Sequence, residues 1–124
     1  MTVFIGSDIL IEISRARDQQ VLKIWSELAD SATTLCYSPV SEAEVWAGAL
    51  PREYAVTTAL LQRLECVPIT RETGRKAGEY MAQYRKSHGV ELPDALIAAS
   101  AFETSAAIWT RNRKHYPMRD IAFY

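Results

Sequence analysis

Short apolar runs alternate along this 124-residue chain with longer stretches whose apolar positions recur every three or four residues. Val3-Phe4-Ile5 predicts a first strand, after which Asp8 opens a helix marked on one side by Ile9, Leu10 and Ile13. Asp18 caps a second helix, in which Val21, Leu22, Trp25, Leu28 and Ala29 fall at helical spacing. Thr34-Thr-Leu-Cys-Tyr37 is β-branched and apolar and predicts the second strand. Ser41 with Glu44 three residues on has the spacing of a capping box and predicts another helix start. Pro51 suits the first turn of the next, with Val56, Ala59, Leu60 and Leu64 inward. Residues 66–69 predict a third strand at a sheet edge, because Pro68 cannot donate to a central ladder. Thr70 caps a long helix whose stripe of Ala77, Tyr80, Met81 and Tyr84 ends near Gly89. Pro93 begins a helix over 94–102 that is apolar nearly all round and is expected to be the most buried. Residues 106–110 and 121–123 predict a fourth and a fifth strand.

Strands alternating with helices predict an α/β fold, a parallel central sheet of four to five strands flanked by helices. The length suits one domain, residues 1–124. Hydrophobic residues at 48% suffice for a core, and charged residues at 23% are ordinary. A net charge of −1 and a pI near 6.1 exclude global attraction to a polyanion, so any nucleic-acid contact must come from a local basic patch. No apolar run approaches membrane-spanning length and the first residues carry no basic leader, which predicts a cytoplasmic protein. Cys36 and Cys66 fall in short apolar segments and are expected to be reduced and buried.

The candidate chemistry lies in three acids, Asp8, Glu44 and Asp94, each placed where a predicted strand gives way to a helix. With parallel strands, all three reach the edge of the sheet where α/β folds place their sites. Singly, each has a structural reading: a helix cap for Asp8, the return half of a capping box for Glu44, a dipole complement for Asp94. Together they conflict. Two carboxylates 4 Å apart repel by about 4 kcal/mol at an effective dielectric near 20, whereas dipole terms supply about 1 kcal/mol or less each. The acids are therefore either apart or compensated by a proton or a metal. Oxygen donors without a Cys or His cluster favour Mg²⁺ or Mn²⁺ over Zn²⁺, and such a centre hydrolyses phosphodiesters. The run Thr110-Arg-Asn-Arg-Lys-His-Tyr116 reaches the same rim and offers Arg111, Arg113 and Lys114 to RNA phosphates, with Asn112 or His115 to orient water. Arg71, Arg75, Arg85 and Lys86 read as the outer face of their helix.

Four segments carry a resemblance: Ile5-Gly-Ser-Asp-Ile-Leu-Ile-Glu12, Ser41-Glu-Ala-Glu-Val-Trp-Ala-Gly48, Leu92-Pro-Asp-Ala-Leu-Ile-Ala-Ala99 and the run from Thr110 to Tyr116. In this order and spacing the chain resembles the PIN-domain ribonucleases, specifically the VapC-type toxins of VapBC toxin–antitoxin pairs. The resemblance implies a PIN-like fold and a Mg²⁺- or Mn²⁺-dependent endoribonuclease. It matches Glu44 and Asp94 to two metal-binding acids, with Asp8 in support, and Thr110 and Asn112 to a polar turn shaping the site. It also implies a homodimer and a cognate VapB-type antitoxin whose C-terminal segment covers the acids. Trp25 and Trp46 are candidates for the groove receiving that segment, with core burial an equal reading. Two departures stand out. The last motif has Asn112 and His115 where family members often add a fourth acid, and Gly6 stands where they carry a central metal-ligand aspartate. Poor metal binding and slow or absent cleavage are expected of this chain. The alternative is a catalytically inactive PIN-fold binding module that keeps only its partner interface.

Overall fold

In the computed structural model, which describes residues 1–124, the expected parallel sheet is present with five strands. These are β1 (Thr2–Ile5), β2 (Thr34–Tyr37), β3 (Glu65–Cys66), β4 (Ala107–Trp109) and β5 (Ala122–Phe123), in the spatial order β3-β2-β1-β4-β5. β1 lies at the centre. Its partners run from Thr2 opposite Thr34 to Phe4 opposite Cys36 on one side, and from Val3 opposite Ala107 to Ile5 opposite Trp109 on the other. The chain builds outward from β1 through β2 to β3, then returns and builds the other way through β4 to β5. This reversal opens a crevice beyond the carboxyl ends of β1 and β4, the place where open α/β sheets hold their ligands.

Six helices cover the sheet: α1 (Ser7–Arg15), α2 (Gln19–Ala29), α3 (Pro39–Gly48), α4 (Tyr54–Gln62), α5 (Arg71–His88) and α6 (Leu92–Glu103). Alternation along β1 sends Phe4 to one face and Val3 and Ile5 to the other. Phe4, Cys36 and Ile108 pack with Ala77 and Tyr80 of α5 and the alanines of α6, whereas Val3, Ile5 and Trp109 pack with Ile9, Leu10, Val21, Leu28 and Leu60. As expected, α6 is the most enclosed helix. Ala95 and every residue from Ile97 to Ala101 are buried, and its small side chains let α5 approach closely. Thr70 caps α5, and Gly89 ends it in a left-handed conformation at φ 64° that costs a glycine little. Asp18 caps α2 by accepting from the backbone N–H groups of Gln20 and Val21.

Four local expectations are corrected. α3 starts at Pro39, not Ser41: Ser38 is the cap, its Oγ accepting from Val40 N at 3.0 Å, and Pro39 fills a first-turn position whose N–H needs no partner. Ser41 is thus buried inside the helix, and Glu44 has no capping duty. Asp8 is not the α1 cap either. Gly6 occupies that position without a side-chain bond, and Asp8 lies in the first turn. In α4, which follows a 3-10 turn at Pro51–Glu53, the inward residues are Thr57, Leu60 and Leu61; Leu60 and, just past the helix, Leu64 are buried as expected, but Val56 and Ala59 face outward. β3 is confined to Glu65–Cys66, and Cys66 is exposed, not buried. Both cysteines are free thiols; burial, with the Glu65 charge beside it, pushes Cys36 up to about 12. Trp25 and Trp46 are half-buried against the α1/α2 side of the core, Trp25 beneath Arg63 and Trp46 donating to Glu42. No helix is long and apolar enough to cross a membrane.

Candidate active site

Each acid reaches the crevice on a different helix. α1 follows β1 after Gly6 alone, α3 follows β2 after Ser38 alone, and α6 begins just before Asp94. Asp8, Glu44 and Asp94 line one open cleft of about 480 Å³, joined by Ser7, Glu91, Thr110, Asn112, His115 and Tyr116. The structure thus brings Asn112 and His115 to the same rim as the three acids. Arg111, Arg113 and Lys114 do not line it. Arg111 is ion-paired at 2.9 Å to Asp18 and 3.4 Å to Glu12. Arg113 lies over the Phe123 ring and donates to the Tyr124 carbonyl at 3.1 Å, and Lys114 is exposed without an ion pair.

The acids are held differently. Asp8 accepts from the Thr110 hydroxyl at 3.1 Å and from the Arg111 backbone N–H at 2.8 Å, so it ties α1 to the segment after β4. Glu44 accepts from Ser7 Oγ at 2.6 Å, and Ser7 also lies 3.0 Å from Ser41 Oγ. Asp94 has His115 Nδ1 at 3.7 Å. Burial raises the Asp94 carboxyl above its ordinary range; His115 opposes this, and the Glu44 and Glu91 charges add to it. Burial also raises the Tyr116 hydroxyl, reinforced by the charges of Asp94, Asp8 and Glu44. All three carboxylates therefore bear on one phenol, the electrostatic mark of a shared pocket. Ser7, Glu91 and Tyr116 were not singled out from the sequence. Ser7 lies beside Gly6 within the first motif and Tyr116 closes the fourth, and those positions are the signals that point to them.

The Asp94 shift has a sign that can be checked. The folded protein holds this proton more tightly than the unfolded chain, whose carboxyl titrates near the ordinary 3.8. The contribution to stability is complete below that value and is lost as the pH rises through the raised folded pKa. At pH 7 the charged group is a net cost despite His115, so Asp94→Asn is expected to unfold at the parent's temperature or above, with a weaker pH dependence above about 4. Thermal melts across that range measure it; a melting temperature several degrees lower at pH 7 would contradict the assigned burial.

As a metal centre the donor set is chemically suitable and geometrically incomplete. Carboxylate oxygens suit a hard divalent ion, but no three Asp, Glu, His or Cys side chains converge where one ion could be held. Gly6 supplies no donor, and both Asp8 oxygens already accept hydrogen bonds. The backbone at Gly6 (φ −73°, ψ 159°) is open to any residue. A Cβ there would lie 2.9 Å from Asp8 Oδ1 and 3.3 Å from the Trp109 carbonyl oxygen, so a side chain fits only if the Asp8 carboxylate moves.

Comparison with known proteins decides the family. The PIN domain family matches residues 3–123. The chain belongs to the PIN-domain family. This PIN domain is 33% identical over 117 residues to Ribonuclease VapC10 of Mycobacterium tuberculosis, covering 94% of this chain and 86% of that protein. It is 31% identical over 94 residues to Ribonuclease VapC19 of the same organism, covering 75% of each. The PIN fold also superposes with a TM-score of 0.83, at 20% identity, on the structure of VapBC2 from Rickettsia felis bound to a DNA fragment from its promoter, covering 100% of this chain and 98% of the other.

Proposed function

We propose that this PIN domain is the endoribonuclease toxin of a VapBC-type toxin–antitoxin pair, built around a divalent-metal centre that Gly6 leaves one ligand short. What carries the reading is that Asp8, Glu44 and Asp94, from three helices, line one cleft in a chain one-third identical to a VapC ribonuclease along nearly its whole length. Mg²⁺ or Mn²⁺ is the ion its oxygen donors suit, and such an ion supplies water activation and charge neutralisation at a phosphodiester. Without it, the acids repel the phosphates that a nuclease must admit. Glu44 and Asp94 are the proposed ligands, Asp8 their support, and Asn112 the polar group at the rim. Of Arg111, Arg113 and Lys114, only Lys114 is free of intrachain partners, and it is the one proposed to meet RNA.

The same uncompensated acids suit a cognate VapB-type antitoxin, because one basic side chain inserted among them replaces the missing cation charge. A homodimer accompanies this reading. A second reading, a non-catalytic partner-binding module, draws on the absence of three converging donors. Melts of Gly6→Asp separate the two: a concentration-dependent rise in melting temperature with Mg²⁺ or Mn²⁺ marks a centre that the missing ligand completes, and none marks the binding module. The decisive test is cleavage of transfer, ribosomal and messenger RNA by Gly6→Asp with either ion, reversed by chelation. A folded, ion-binding Gly6→Asp that cuts none of them ends the nuclease reading.

A further inference from the structure

Arg111 has a different duty from the one its position in the sequence suggests. Asp8 and Glu12 stand one helical turn apart on α1, so their side chains share a face. Both grip residue 111, from opposite ends. Asp8 Oδ2 accepts the backbone N–H of Arg111 at 2.8 Å, and Glu12 Oε1 lies 3.4 Å from its guanidinium. A second guanidinium nitrogen donates to Asp18 Oδ2 at 2.9 Å, while Asp18 Oδ1 caps α2. One arginine thus joins the middle of α1, the start of α2 and the segment that supplies Thr110, Asn112, His115 and Tyr116 to the cleft.

Its charge is already committed. Glu12 is 8% exposed, and its Oε2 has no hydrogen-bond partner, so the carboxylate depends on Arg111 and on Arg17 at 2.8 Å. Two acids and two arginines make a neutral cluster. To reach a phosphate, the half-exposed Arg111 would have to leave a buried carboxylate under-compensated, a costly exchange in a low-dielectric setting. Residues 110–112, ahead of the buried Tyr116 and of Arg113 on Phe123, have little else to hold them. Between Thr110 and the single 3-10 turn at Arg113–His115, the side-chain bonds to other elements are those of Thr110 and Arg111.

We infer that Arg111 is a positioning residue: clamped by Glu12 and Asp18, it fixes the segment that aims Asp8 and presents the cleft's polar rim, and it does not contact RNA. The kinetic and RNA-binding arms of the test rest on the ribonuclease reading, and the exchange arm does not. In the parent chain, Arg111→Ala should leave the salt dependence of binding to a labelled single-stranded RNA unchanged. A phosphate contact would instead lower the log–log slope by about 0.7. Amide hydrogen exchange at residues 110–112 should speed up about tenfold or more in the same variant as the anchor is lost. Glu12→Gln/Arg111→Gln removes both charges together, leaves no unpaired buried carboxylate, and should show the same two results if the single variant fails to fold. In a Gly6→Asp background, Arg111→Ala should lower kcat about 10- to 100-fold at nearly constant KM. Arg111→Lys should not rescue it, since an ammonium cannot bridge two carboxylates as a guanidinium fork does. A reduced salt slope, unaltered exchange at residues 110–112, or full rescue by lysine would each overturn the assignment. If Gly6→Asp cuts no RNA, the nuclease reading fails, and exchange at residues 110–112 still decides whether Arg111 anchors the segment.

Discussion

Gly6→Asp is expected to convert a protein indifferent to divalent ions into one whose stability and RNA cleavage both depend on them. The new carboxylate would start 2.9 Å from Asp8 Oδ1 at its Cβ and join Glu44 and Asp94 in the same cleft. Without metal this adds like charge to a group already short of compensation, and a loss of about 1–3 kcal/mol is expected. With an ion at a hundred times its dissociation constant, linkage returns about 2.7 kcal/mol. Melting temperature should therefore fall in chelator and rise by roughly 10 °C on adding Mn²⁺ or Mg²⁺, taking about 4 °C per kcal/mol for a domain of this size. The parent should move by about 1 °C or less under the same additions. Cleavage should increase by about 100-fold or more, since losing even an outer partner of a metal ligand costs 10- to 100-fold. Melts and gel-based cleavage, run in parallel, keep a folding failure distinct from a catalytic one. Equal ion responses in parent and variant would show that position 6 does not face the centre.

Phe4→Ala is expected to cost about 3–5 kcal/mol, the usual range for deleting a fully buried aromatic ring. Against a total stability of about 5–15 kcal/mol, that leaves a marginal fold. The strand explains the size of the effect. Phe4 is completely buried on β1, paired on both sides and packed in the cluster that includes Ile108, Ala98 and Tyr80. The same strand carries Gly6, Ser7 and Asp8 to the cleft, so its loosening should also abolish any ion response restored at position 6. Urea denaturation measures the cost. A change under about 1 kcal/mol would mean that β1 is not the central strand.

Much of this architecture could be read before any coordinates, where local pattern and tertiary need agreed. The second strand, the Asp18 and Thr70 caps and the Gly89 stop each rest on a few adjacent residues whose preferences point one way. The all-round apolar character of the residues after Pro93 likewise announced the most enclosed helix. Misreadings arose where one residue type serves two purposes. Ser41 and Glu44 carry a capping-box spacing, yet the box is not formed, because Ser38 and Pro39 make the better start and Glu44 is turned to the cleft. Asp8 also looks like a cap, and only the return of the chain at β4 brings Thr110 and Arg111 to it. The acids' shared rim followed from parallel connectivity, whereas the pairing of Arg111 with residues on α1 and α2 depends on side-chain reach across most of the chain and leaves no local trace. In α4 the expectation is met in part: Leu60 and Leu64 are buried as expected, whereas Thr57 and Leu61 take the inward places given to Val56 and Ala59.

The reversal of the sheet between β1 and β4 also governs when the cleft can exist during synthesis. Its walls are drawn from residues 7 to 116, and β4 must insert against β1 before Thr110 and Tyr116 have anywhere to sit. A chain still emerging from the ribosome carries Asp8 and Glu44 long before it has the strand that frames them. The cleft is therefore absent from the nascent chain until the segment through Tyr116 has left the exit tunnel.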